Sequence, residues 1–125
     1  APIYGAFYTG AQIEEYSAQM TQEIRIARGR AVARLNDAAH GVYFDVSASP
    51  PRYILFQGDT YATRAAAYDQ LFPLDPSLKL STTLAGGEVR FLRGSGAPVL
   101  TGEVTITNAQ GQQRTAIINS MGAVR

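Results

Sequence analysis

IEEYSAQMTQEIRIARGRAVARLNDAAH, residues Ile13 to His40, carries the decisive pattern. Its apolar positions are Ile13, Tyr16, Met20, Ile24, Ala27, Ala31, Leu35 and Ala38, separated by steps of three and four. At the turn angle of an α-helix they fall within an arc of about 100°, the width of a stripe that faces a core. The spacing predicts one amphipathic helix over this whole stretch, roughly 40 Å long at 1.5 Å per residue. That is longer than a small domain is wide, so part of the helix is expected to project beyond whatever packs on it.

Charge follows the same axis. Glu14, Glu15 and Glu23 lie in the first half, and Arg25, Arg28, Arg30 and Arg34 in the second, which suits the helix dipole. Gly41 is the expected helix stop. Two starts are open. Thr9 with Gln12 fits a capping box. Alternatively Pro2 occupies a first helical position and the helix runs from Ile3, with Gly5 and Gly10 as weak points. Opposite the stripe lie Ala11, Ala18, Ile26, Gly29 and Ala33, a back of mostly small residues interrupted by Glu15 and Gln22. Such a back lets a second helix approach closely, although alanine also serves helix propensity alone.

Beyond Gly41 the period changes to two. Val42 to Ser47, Tyr53 to Gln57, Thr60 to Thr63, Leu78 to Thr83, Glu88 to Arg93, Gly102 to Asn108 and Arg114 to Met121 read as strands. Ala109 to Gln112 joins the last two as a hairpin. The clean alternation of Val104-Thr105-Ile106-Thr107 implies one wet face. Phe72 to Pro76 holds two prolines and is expected to be irregular. Ala65 to Leu71 fits a helical turn or a loop. The plan is α+β: a helix over residues 1–40 lying across about six to seven antiparallel strands in a β-rich head, 41–125. At 125 residues, without a repeat or a linker, this is a single domain.

Eleven basic and ten acidic residues leave a net charge of +1, no global signature of nucleic-acid binding. All the basic residues except Lys79 are arginines. Arg25, Arg28 and Arg34 lie at the margins of the helix stripe, where their stems cover apolar surface. Arg90, Arg93, Arg114 and Arg125 belong to the strand region and its end, and gathered on one face they would contact phosphates.

Enzymatic chemistry finds little support. Cysteine is absent and His40 is the only histidine, which leaves nothing to build a zinc site. His40, Ser47 and Asp45 draw a triad only on paper, because His40 is expected to close a helix and complement its last carbonyls. Glu14 and Glu15 diverge by about 100° on the helix and cannot flank one substrate. Gly94-x-Gly96 lacks the third glycine of a dinucleotide fingerprint.

No stretch reaches 18 uninterrupted apolar residues. Ala1 to Tyr8 is nonetheless apolar, aromatic and uncharged. It reads as the last turns of a membrane segment that continues upstream, or as an arm tucked onto the core.

Taken in order, Pro2-Ile3-Tyr4, Ile26 to Val32 with its Ala27-Arg28 pair, Phe72-Pro73-Leu74, Glu88 to Phe91, Gly94-Ser95-Gly96, and the closing strands Gly102 to Asn108 and Arg114 to Gly122 form a set. Over nearly the whole chain the sequence resembles the soluble part of a type IV pilin-like protein of the GspH/FimT family of pseudopilins and minor pilins. The resemblance implies the pilin fold and a non-enzymatic structural subunit of a type IV pilus or of a type II secretion pseudopilus. It implies an upstream leader and an apolar helix that anchors the subunit in the bacterial inner membrane before assembly. Afterwards that helix would pack in a cell-surface filament or periplasmic pseudopilus, with other pilin or pseudopilin subunits as partners and no cofactor or small-molecule substrate. Some similar FimT-like proteins take up DNA through a C-terminal Gly-Arg-x-Arg pattern. The tail here reads Gly122-Ala123-Val124-Arg125, with the first arginine replaced, so Arg90, Arg93, Arg114 and Arg125 are the candidate DNA contacts. A free-standing ligand-binding domain is the remaining alternative.

Overall fold

A computed structural model describes the backbone of residues 2–125 and the side chains of residues 12–125. The apolar start from Ile3 to Tyr8 and the back-face residue Ala11 were read by their side chains, which lie outside the described residues.

Helix α1 spans Pro2–Val32, about 46 Å of axis. Its start agrees with the proline reading and not with a cap at Thr9. Its end corrects the sequence expectation. The stripe periodicity continues to Ala38, but the helix stops eight residues before His40. Arg34, Asn36 and Asp37 all take positive φ, between 54° and 57°. Gly94 reaches in from a distant loop to donate its N–H to Ala31 O at 2.8 Å. Leu35 is therefore 44% exposed, and Ala38 is half-buried in extended backbone. The spacing at both positions is fortuitous, because periodicity cannot register a backbone reversal.

Seven strands follow: β1 His40–Asp45, β2 Arg52–Gln57, β3 Gln70–Pro73, β4 Lys79–Thr82, β5 Glu88–Phe91, β6 Gly102–Thr107 and β7 Gln113–Ile118. They form two antiparallel sheets, one of four strands in the order β3-β2-β1-β5 and one of three in the order β4-β6-β7. The core stripe of α1 lies over both. Ile13, Met20, Ile24, Ala27 and Ala31 are fully buried, with Tyr16 packed beside them. They share one core with Val42, Phe44, Tyr53, Leu55, Val89 and Phe91 of the first sheet and with Leu80, Val104, Ile106, Ala116 and Ile118 of the second. Ile26, assigned to the helix back from spacing, instead packs at the margin of this core.

Three further expectations change. Gly41 is not a helix stop but the second residue of β1. A Cβ there would stand 2.3 Å from Val89 O and 2.7 Å from the Phe56 ring, so the sheet requires a glycine. Thr60 to Thr63 is a turn and not a strand, because the Thr60 hydroxyl accepts the Thr63 N–H at 3.1 Å and offers the chain a local alternative to a ladder. Phe72 and Pro73, expected to be irregular, belong to edge strand β3. Leu74 N–H donates to Pro51 O at 2.8 Å, and the alternation of an antiparallel ladder then turns the Pro73 nitrogen away from β2. Residues Ala65 to Leu71, left open above, divide into a single helical turn, Ala66–Tyr68, and the start of β3.

Candidate functional site

The face of α1 turned away from both sheets is exposed along the described residues. Glu15, Ala18, Gln22 and Gly29 are exposed, and at 100° per residue they lie within about 60° of one another. Ala33, just past the helix, continues the line. A side chain built at Gly29 would meet nothing within 4 Å. This is an open, narrow strip of small and polar residues on a rigid rod.

The rod is fixed to the head at its far end. Arg25 Nη2 donates to Val124 O at 2.8 Å. One turn on, the Arg28 stem runs between two glycine turns. A Cβ on Gly122 would come within 2.5 Å of Arg28 Nε and one on Gly96 within 3.4 Å of Arg28 Cγ, both glycines having positive φ. Arg28 Nε is buried there without a hydrogen-bond partner. The tail that the arginines grip extends the three-stranded sheet, since Ile117 and Arg125 exchange both backbone hydrogen bonds at 3.0 Å. Arg25 and Arg28 thus act on the fold, a role that sequence reading missed. The signal was present in a pair of arginines three apart on one helix side, matched by glycines at 96 and 122.

The four candidate phosphate contacts are divided among several places. Arg114 on β7 pairs with Glu14 near the start of the described helix side chains. Arg93 pairs with Asp37 beyond the helix end. Glu14 and the Ala31 carbonyl that anchors Gly94 are about 25 Å apart along the axis. Arg90 sits mid-strand opposite Gly41, its Nε buried and unpartnered, and Arg125 is exposed at the end of the tail. The structure therefore brings Arg93 together with the helix-end turn and Arg125 with the Arg25 and Arg28 grip, while Arg114 is paired far along the helix.

The paper triad does not assemble. His40 begins β1, buried to 2% exposure, and its Nε2–H donates to Leu35 O at 2.9 Å. It does complement a carbonyl beyond the helix end, as expected, but from a strand. Asp45 is five residues along the same strand and pairs with Arg52 at 3.3 Å. Among the described residues no group of three or more His, Cys, Asp or Glu could hold a metal, and no helix is long and apolar enough to cross a membrane. Among the described residues Tyr53 is a strongly perturbed acid. Burial first, then the nearby charges of Glu23 and Tyr16, push its hydroxyl well above the ordinary tyrosine range. It lies in the core, 1% exposed.

No protein-family model matches the sequence, and no curated protein matches it. Solved structures do match. The minor pseudopilin EpsH from the type 2 secretion system of Vibrio cholerae superposes with a TM-score of 0.67 at 18% identity, over 91% of this chain and 94% of that one. A second structure of EpsH gives 0.67 at 15% identity, over 92% of both chains. The type IV minor pilin FimU of Pseudomonas aeruginosa strain PAO1 gives 0.71 at 13% identity, over 95% of this chain and 90% of that one. The chain has the fold of these minor pseudopilins and minor pilins, one long N-terminal helix on antiparallel sheets of four and three strands.

Proposed function

We propose that this protein is a structural subunit, a minor pilin or pseudopilin, of a type IV pilus or a type II secretion pseudopilus. The observation that carries the reading is a division of labour along α1. One face holds both sheets, while on the opposite strip Glu15, Ala18, Gln22 and Gly29 are exposed among the described residues. In a fold shared with EpsH and FimU, this strip is the surface on which the helix of a neighbouring subunit packs. Small residues there allow close approach. Upstream of Ala1 the reading calls for an apolar segment of about 20 residues that holds the subunit in the inner membrane before assembly. Afterwards the subunit resides in a periplasmic pseudopilus or a surface filament. No cofactor and no catalytic step enter this role.

The test separates folding from assembly. Gly29→Trp fills open space, so the melting temperature of the purified protein should stay within a few degrees of the parent. In the producing bacterium the same substitution should sharply reduce recovery of the protein with sheared or purified filaments. Normal incorporation of the Trp variant would overturn the assignment of this strip. Failure of the parent protein to co-purify with any filament would overturn the reading as a whole.

A further inference from the structure

Beside the sharp turn after α1, a cleft of about 350 Å³ opens between the last turn of the helix, the start of β1, the end of β2 and the turn that leads into β3. Two hydrogen-bonded pairs line it. Asn36 Nδ2 donates to Gln57 Oε1 at 2.7 Å, and Arg30 Nη1 donates to Gln70 Oε1 at 3.0 Å. In each pair the glutamine's side-chain oxygen is engaged within the lining. A carboxamide offers one oxygen and one NH2 group, so the free end of each glutamine is a donor. Of the five N–H groups of a guanidinium, Arg30 uses one. Among the described residues no carboxylate pairs with it.

The acceptors around the cleft are largely consumed. Asp69 has both oxygens bound by Arg64 Nε, at 3.0 and 2.8 Å, which answers its charge. The Leu35 carbonyl accepts from buried His40. Among the lining side chains the Asn36 oxygen, the Tyr68 hydroxyl and His40 Nδ1, whose partner nitrogen Nε2 carries the donated proton, remain as acceptors. Gln57, Gln70 and Arg30 all line the cleft; Gln70 is exposed, Arg30 half-buried and Gln57 9% exposed. A space of this volume with a surplus of donors and one unanswered positive charge suits a small anion that brings several acceptors.

We propose that this cleft binds a small organic carboxylate. Its oxygens accept from the Arg30 guanidinium and the Gln57 and Gln70 amides, and its body lies against the exposed Leu35 and Tyr68 side chains at the mouth. The site goes beyond the structural role and does not depend on it, since every lining group belongs to the head and the helix end of one chain.

Titration of the 15N-labelled 125-residue chain by NMR at constant ionic strength tests this, with acetate as the minimal probe, glucuronate as a free sugar acid and N-acetylglutamate amide as a protein-borne acid. We expect saturable shifts of the Gln57 and Gln70 side-chain amides and of Arg30 Nε–H, within millimolar to tens of millimolar probe. A tighter response to glucuronate assigns the site to a free metabolite. A tighter response to the blocked glutamate assigns it to an acidic side chain of a partner. Gln70→Glu, at an exposed position, supplies Arg30 with a carboxylate from within and should weaken binding at least tenfold, with the rest of the spectrum unchanged. Absence of saturation with all three probes would overturn the proposal, as would shifts reproduced by chloride alone or binding of equal strength in Gln70→Glu.

Discussion

The two sheets are built by opposite rules, although the same helix covers both. The three-stranded sheet alternates: in β6 and β7 Val104, Ile106, Ala116 and Ile118 are buried, while Glu103, Thr115 and Ile117 face out. Apart from Ile117 its outer face is polar, with the Thr105 and Thr115 hydroxyls 3.0 Å apart across the strands. In the four-stranded sheet the inner strand β2 is buried on both sides. Tyr53 and Leu55 face the helix, and Ile54 and Phe56, pointing the other way, are only 1% exposed. A loop closes that outer face. Tyr61 stacks on Tyr43 with centroids 4.0 Å apart, meets Phe56 edge-on at 5.7 Å, and carries Arg64 at 3.8 Å over its ring. The comparison teaches where irregular chain is needed. A sheet with one wet face finishes with a hairpin, whereas one with two apolar faces needs a cover, and the edge of that cover bounds the cleft.

The largest effect should come from opening the cover. Phe56→Ala on the outer face of the four-stranded sheet should cost about 3–5 kcal/mol. Thr105→Ala on the outer face of the other sheet should cost no more than about 1 kcal/mol. Urea unfolding of both variants measures this, and equal costs would break the distinction between the sheets.

Glycine to alanine changes come next. In Gly41→Ala the new methyl meets the Val89 carbonyl, a backbone atom, at 2.3 Å, so β1 and β5 must separate. A loss of about 1–3 kcal/mol is expected. In the three-stranded sheet Gly102→Ala meets only the ends of the Thr83 and Leu84 side chains, at 2.9 and 3.0 Å, and should cost less. Thermal melts of the pair rank them.

Tyr53→Phe should act in the other direction. The Tyr53 hydroxyl is buried with no partner, and an unsatisfied buried polar group costs about 1–3 kcal/mol. Its removal from between Phe44 and Phe72 is expected to raise stability by about 1 kcal/mol. It should also change the alkaline limb. The folded hydroxyl holds its proton above the ordinary value of 10.0, so above that pH the unfolded chain binds fewer protons than the folded one. Parent stability then falls as pH rises, by about 1.4 kcal/mol per pH unit for one group, and the Phe variant lacks this contribution. Denaturant midpoints between pH 9 and 11 check it.

The smallest effect is expected in the link between the sheets. The Ser77 hydroxyl, then the Ser77 backbone N–H, hold Asp75 below the ordinary carboxylate value of 3.8. The folded chain therefore gives up this proton more readily than the unfolded one. The resulting stabilisation is present above 3.8 and fades as pH falls through the lowered value. Asp75→Asn should therefore cost a little stability at neutral pH and flatten the acid limb, so that urea midpoints of parent and variant converge as pH falls through the lowered value.

Legibility followed the same division. Val104-Thr105-Ile106-Thr107 could be read outright, because each side chain's environment alternates with its position. The helix stripe from Ile13 to Ala31 was legible for the same reason. The error at Leu35 and Ala38 came from a backbone reversal by three residues of positive φ, which leaves no periodic mark. Thr60 to Thr63 looked like a strand because β-branched residues suit strands, yet a threonine hydroxyl can close a turn instead. The outward strip of α1 could be read in outline as small residues opposite the stripe, with Ile26 wrongly included. The cleft could not be read at all. Arg30 and Asn36 lie far in sequence from Gln57 and Gln70, and the four have no shared pattern.

By itself, then, the sequence determined an α+β chain with a long N-terminal helix, the face of that helix that enters the core, and the alternating three-stranded sheet. Each of these is a local periodicity imposed by burial against a single neighbouring layer. The tertiary structure alone decided where the helix ends, why Gly41 is a glycine, how the second face of the four-stranded sheet is covered, and which donors meet beside the helix end. Those features rest on contacts between residues tens of positions apart, whose geometry exists only once both sheets are packed on α1.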